Sequence, residues 1–121
     1  MKLGCTENMK KIKLTNEPSY ESKLKSFTYQ QQAIDFAKDL DYAAIFHEQG
    51  LGKTKIALDI SLYWLSDKDI DTVLIITKKG LVKNWQEEIK IHSHLHPKIL
   101  TNNRSSNYYV FNSPSRILIT N

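Results

Sequence analysis

The residues Gly50-Leu51-Gly52-Lys53-Thr54 combine, within one short stretch, the groups that hold a nucleoside triphosphate. Gly50 and Gly52 admit backbone angles that a side chain would forbid. They also let successive N–H groups converge on phosphate oxygens. Lys53 is a point charge long enough to reach the β- and γ-phosphates, and the Thr54 hydroxyl is a ligand for Mg2+. A helix starting near Lys53 would add its positive N-terminal end. The chemistry indicated is binding of ATP with Mg2+. The match is not strict: the full pattern asks for glycine five residues before Gly52, where this chain has His47. The plainer reading is a glycine turn between strand and helix with Lys53 in solvent, so the flanking elements carry much of the weight.

Those elements are legible. Residues 42–48, YAAIFHE, form a short apolar run ended by the glycines, as a buried strand would. Residues 53–64 carry Ile56, Ala57, Ile60, Tyr63 and Trp64 at the spacing of one helical face. Upstream, Thr28 and Gln31 fit a capping box for a helix over about 29–40. Ala33, Ala37 and Leu40 share one face of it, with Ile34 beside them. Residues 71–77, DTVLIIT, read as a parallel strand buried on both faces. Residues 81–90 place Leu81, Val82, Trp85 and Ile89 on one face of a further helix, with Trp85 in the core. YYVF at 108–111 and RILIT at 116–120 read as two more strands. NSPS between them is a turn, because Pro114 cannot continue a ladder. Strands alternating with helices imply an α/β fold with a parallel sheet flanked by helices.

The 121 residues suffice for one small domain. Net charge is +4, and residues 1–25 hold six lysines against three glutamates. That balance suits a polyanion such as nucleic acid, or a merely solvated lysine-rich surface. Residues 1–25 are expected to be a basic N-terminal extension. With one cysteine, Cys5, no internal disulfide can form, which fits a reducing cytoplasm. There is no apolar run of membrane-spanning length and no signal-peptide pattern, so no membrane partner is expected.

The missing first glycine is informative in another way. HEQGLGKT resembles the Asp-Glu-Met-Gly-Leu-Gly-Lys-Thr form of motif I in the Swi/Snf-like (switch/sucrose-nonfermenting) family of superfamily-two helicases. Glu48, Gly50, Leu51, Gly52, Lys53 and Thr54 match, while His47 and Gln49 replace Asp and Met. FTYQQQAIDFA is similar to the family's Q motif through Tyr29 and Gln30. VLIITKKGLVKNWQEEI is similar to motif Ia through Leu81, Asn84, Trp85 and Glu88, with Lys78 where proline is usual. ILITN resembles the start of motif Ib. The resemblance covers about residues 26–121. It implies a P-loop NTPase (RecA-like) fold, incomplete at the C-terminus, forming the first lobe of an ATP-driven translocase on double-stranded DNA. It implies that Gln30 contacts adenine and that Glu48, Gln49, Gly50, Leu51, Gly52, Lys53 and Thr54 bind the nucleotide, Thr54 through Mg2+. Lys78, Lys79 and the Gly80 amide would touch the DNA backbone.

In the family, motif II, of Asp-Glu-x-His type, follows motif Ib, and arginine fingers come from a second lobe. Neither is present here, and the two arginines, Arg104 and Arg116, sit in no finger-like motif. The chain is therefore expected to bind nucleotide weakly, to turn it over little, and to self-associate through uncovered apolar surface. No catalytic residue is assigned. His92, His94 and His96 alternate, as a metal site on a strand would, but they follow a helix and precede Pro97, which reads as a connecting loop without a completing ligand. DKDIDT reads as a solvated turn, and TNNRSSNYYVFN as a loop leading into a strand. Two competing functions remain open: another P-loop enzyme such as a small-molecule kinase, and a non-catalytic nucleic-acid-binding module.

Overall fold

The computed structural model describes residues 17–46, 52–67, 70–112 and 115–121, with residues 111–112 as backbone only. Helix α1 spans Thr28–Ala37. Its start is fixed one residue earlier than the Thr28/Gln31 pair suggested: Gln30 Oε1 accepts the Phe27 N–H at 2.9 Å. Gln31 instead donates to Asp35 Oδ1 at 3.0 Å. The buried face of α1 is Gln30, Ile34 and Ala37. Leu40 lies beyond the helix end and is exposed.

Helix α2, Lys53–Asp67, is the hub. It has apolar residues on two sides. Ile56 and Ile60 pack with Ile34 and Ala37 of α1. Trp64 closes that contact by donating from Nε1 to the Lys38 carbonyl at 2.6 Å. Leu58, Leu62 and Leu65 face the other way, into a cluster with Ile89, Leu95, Ile117 and Ile119. Each such side chain, fully buried, contributes roughly 1.5–3 kcal/mol. The single face expected from Ile56, Ile60 and Trp64 is thus half of the helix's packing.

The sheet has strands β1 (Val73–Ile76), β2 (Lys98–Ile99) and β3 (Ile117–Thr120), all parallel, in the order β1-β3-β2. Helix α3, Val82–His92, connects β1 to β2. Helix α4, Arg104–Asn112, connects β2 to β3. Short ladders bind the strands: Val73 N–H donates to Arg116 O at 2.9 Å and Leu100 N–H to Ile119 O at 2.8 Å. β3 is central and buried along Ile117, Leu118 and Ile119, whereas β1 alternates, with Leu74 and Ile76 exposed. This corrects the expectation that 71–77 is buried on both faces: no described element packs over the face of β1 that carries Leu74 and Ile76.

Two further expectations are overturned. YYVF is helical, within α4, not a strand. Asn103 decides it: its Oδ1 accepts the N–H groups of Ser105 at 2.9 Å and Ser106 at 3.2 Å, capping the helix start. Tyr108 and Tyr109 then sit exposed on that helix rather than in a ladder. Residues 42–46 of the expected 42–48 strand join no sheet, and Tyr42 and Phe46 are exposed; the rest of that run, with His47 and Glu48, lies outside the described residues. β2 was not anticipated, because a two-residue strand carries no periodicity.

Residues 17–27 run along the body. Lys23 N–H donates to the His92 carbonyl at 3.0 Å, and Lys23 Nζ to the Lys90 carbonyl at 3.0 Å, satisfying carbonyls at the C-terminal end of α3. Buried Arg116 bridges Glu17 and Asp71. No helix among the described residues is long and apolar enough to cross a membrane.

Candidate nucleotide-binding site

The glycine-lysine-threonine turn stands at the start of α2. Gly52 has φ +73°, a left-handed angle that favours glycine. A β-carbon there would lie 2.4 Å from Gln30 Nε2, far inside contact distance. So Gly52 is favoured by its backbone angle, and the Gln30 amide occupies the space a β-carbon would take. The Gly52 carbonyl accepts the Ile56 N–H at 3.2 Å, which opens the first turn of α2.

Gln30 is buried and bonded at its oxygen to the Phe27 N–H, so its amide nitrogen is held toward Gly52. Lys53 is exposed and Thr54 half-buried. All four line one open cleft of about 900 Å³, together with Leu24, Lys25, Phe27, Leu81, Glu88 and His92. That lies within the range of roughly 300–1,000 Å³ common for small-molecule sites.

The charges of neighbouring lysines differ in availability. Lys55 is buried, and its Nζ meets Asp59 Oδ1 at 2.6 Å, Asp59 Oδ2 at 2.7 Å and Ser22 Oγ at 2.6 Å. Ser26 Oγ donates to the same carboxylate at 2.5 Å. Lys55 is therefore committed to holding residues 22–26 against α2. Lys53, two positions earlier and exposed, can meet an anion, as can Lys25, which is also exposed in this wall.

The cleft lies at the carboxyl end of β1, where open parallel sheets hold their ligands. There the chain continues through Lys78 into a tight 3-10 turn, Lys79–Leu81. Lys78, Lys79 and Gly80 are exposed, and Leu81 forms part of the cleft wall. Nothing lies within 4 Å of a β-carbon placed on Gly80, so space does not impose glycine there. Trp85 is half-buried against the main core cluster, as the helical pattern required.

Of the residues read from the sequence as nucleotide-binding, the fold brings together Gln30, Gly52, Lys53 and Thr54. Glu48, Gln49, Gly50 and Leu51 lie outside the described residues. The alternating histidines do not act together: His92 ends α3, while His94 and His96 are exposed. Among the described residues no group of three or more His, Cys, Asp or Glu is placed to hold a metal. A metal at this cleft would therefore depend on Thr54 and on oxygens of the nucleotide itself, an arrangement typical of Mg2+ with triphosphates.

Sequence reasoning missed Phe27, Lys25 and His92 as wall residues. Glu88 was noticed only as a motif match. The i, i+4 spacing of Glu88 and His92 was the available signal, since it places both on one stripe of α3.

The chain superimposes on the Sulfolobus solfataricus SWI2/SNF2 ATPase core in complex with dsDNA with a TM-score of 0.69, at 23% identity. The fold resembles a SWI2/SNF2 ATPase core. The match takes in 88% of this chain and 23% of the Sulfolobus chain, so this chain spans about a quarter of that protein's length. No protein-family model and no curated protein matches the sequence. In this fold Gln30 and the Gly-Lys-Thr turn adjoin, although 22 positions of sequence separate Gln30 from Gly52.

Proposed function

We propose that this chain is the ATP- and Mg2+-binding part of an ATP-dependent, helicase-like translocase acting on double-stranded DNA. The observation that carries this reading is the contact of Gln30 with Gly52 at the mouth of α2. It brings Gln30, the residue that the family resemblance links to adenine, and a turn able to hold phosphates onto one cleft. Residues 48–52 would supply main-chain amides, Lys53 the charge on the β- and γ-phosphates, and Thr54 a hydroxyl for Mg2+. ATP, when bound, supplies the phosphoryl group; the residues of this chain bind and orient it.

The DNA assignment rests on the fold, shared with a core whose structure contains dsDNA, and on Lys78, Lys79 and Gly80 being exposed beside the cleft. Residues 26–121 are the nucleotide-binding unit in this proposal, with 1–25 a basic extension. The 121 residues contain no Asp-Glu-x-His motif, and buried Arg116 is bound to Glu17 and Asp71. The chain by itself is therefore expected to bind nucleotide with little turnover. The exposed apolar side chains of β1 favour self-association.

Fluorescence titration with a labelled ATP analogue and Mg2+ tests the reading. The wild-type chain binds, and Lys53→Ala weakens binding by about tenfold or more, the equivalent of about 1.4 kcal/mol. Absence of binding, or an affinity indifferent to Lys53→Ala, would overturn it.

A further inference from the structure

Glu88 stands where a negative charge looks misplaced. It lines the same cleft as Lys53 and Thr54. It also lines the adjoining smaller cavity of about 220 Å³, which again includes Thr54, with Leu81, Asn84, Trp85 and Glu87. Thr54 and Glu88 thus share both hollows, one at the start of α2 and the other on α3. A carboxylate beside a triphosphate is repulsive unless a cation or its water lies between them.

The carboxylate is also held in place. His92 Nε2 lies 2.9 Å from Glu88 Oε2, one helical turn away on α3. His92 Nδ1 is buried and has no hydrogen-bond partner among the described residues. The His92 backbone is itself tied, its carbonyl accepting from Lys23 N–H at 3.0 Å and from Ser22 Oγ at 3.3 Å. The Glu88–His92 hydrogen bond lies in the wall of the site, with the histidine side chain 15% exposed and the glutamate side chain 41% exposed.

The geometry points to Glu88 as an outer-sphere metal residue: its carboxylate accepts hydrogen bonds from water on the Mg2+ that Thr54 holds, and His92 is the positioning residue that fixes it. This deepens the nucleotide-binding reading and rests on it. The chemistry is that of a strongly hydrated divalent cation, which sheds its waters reluctantly and is recognised through them. Carboxylates that bond to ligated groups in this way tune metal affinity, with losses of roughly 10–100-fold on removal. Glu88 then contributes only when the metal is present. Without metal it repels the triphosphate.

The test compares binding of a non-hydrolysable ATP analogue in excess Mg2+ and in excess chelator. The expected result is that Glu88→Gln lowers the Mg2+-dependent gain in affinity about tenfold, while metal-free affinity is unchanged or higher. His92→Ala gives a smaller loss in the same direction. If Glu88→Gln leaves the metal-dependent gain intact while the wild type binds nucleotide, this assignment is wrong and the nucleotide reading stands. If the wild type binds no analogue with or without Mg2+, both fall. A second measurement needs no variant. Mn2+ with the analogue should broaden the His92 ring resonances of the wild-type protein, and Mn2+ alone should not. Unbroadened His92 signals in the ternary complex would overturn the assignment.

Discussion

Strands β1 and β3 are nearly the same four residues, VLII and ILIT, hydrogen-bonded side by side in register. Their environments differ sharply. Ile119 is fully buried, and its partner position on β1, Ile75, packs against the same cluster. Ile76 is 73% exposed, one residue further along β1. β3 has a strand on each side and its apolar residues are buried on both faces, whereas among the described residues β1 is at the edge and has one bare face. Composition made both segments strands, but neighbours determined how much free energy each contributes.

The comparison has a direct test. Ile119→Ala is expected to lower unfolding stability by about 2–5 kcal/mol, since it opens a cavity in a closed core. Ile76→Ala should stay within about 0.5 kcal/mol. Denaturant unfolding of both variants measures the gap, and equal losses would mean that β1 is covered in solution. If the cover is a second copy of the chain, Ile76→Ala also lowers the sedimentation coefficient at high concentration, and Ile119→Ala in its folded fraction does not.

Two glycines repeat the lesson at smaller scale. Gly52→Ala forces a left-handed residue to carry a β-carbon, costing about 1–2 kcal/mol, and drives it into Gln30 Nε2. Gly80→Ala meets open space. Thermal melts and nucleotide titration should therefore both register the first substitution. The second should leave the melt within a degree or two, as expected of a surface change of a few tenths of a kcal/mol.

The smallest effect concerns the N-terminal strap. Burial, followed by the hydrogen bond to Glu17, raises the Tyr20 phenol above its ordinary value, against the opposing pull of Arg116. A raised folded-state value means that the stabilising contribution is complete below the unfolded value of about 10 and is lost as pH climbs past it. Unfolding followed between pH 9 and about 11 should show alkaline softening that Tyr20→Phe makes shallower. An identical alkaline limb in the variant would remove Tyr20 from that role.

The elements were legible where one signal dominated. The Gly-Lys-Thr turn, the helix after it and the apolar runs of β1 and β3 follow from residue type and spacing. Asn103 was as clear a capping signal as any, but two tyrosines, a valine and a phenylalanine have high strand propensity, and the sequence reading followed them. The cap prevailed because it satisfies orphan N–H groups locally, whereas a strand at 108–111 needed a ladder partner. Residues 42–46 show the converse: although apolar, they pair with no strand among the described residues.

The chain's own order of residues determined that a Gly-Lys-Thr turn would precede a helix, that parallel strands would alternate with helices, and which lysine would stand at the helix start. Only the tertiary structure decided that Gln30 would press on Gly52, that Lys55 would be paired with Asp59 while Lys53 stayed exposed, and that Glu88 and His92 would line one cleft with Thr54. Local spacing can set the conformation of a turn or a helix, because those bonds close within a few residues. Charge pairing and cleft walls depend on which distant segments pack together, and burial across the whole chain selects that arrangement.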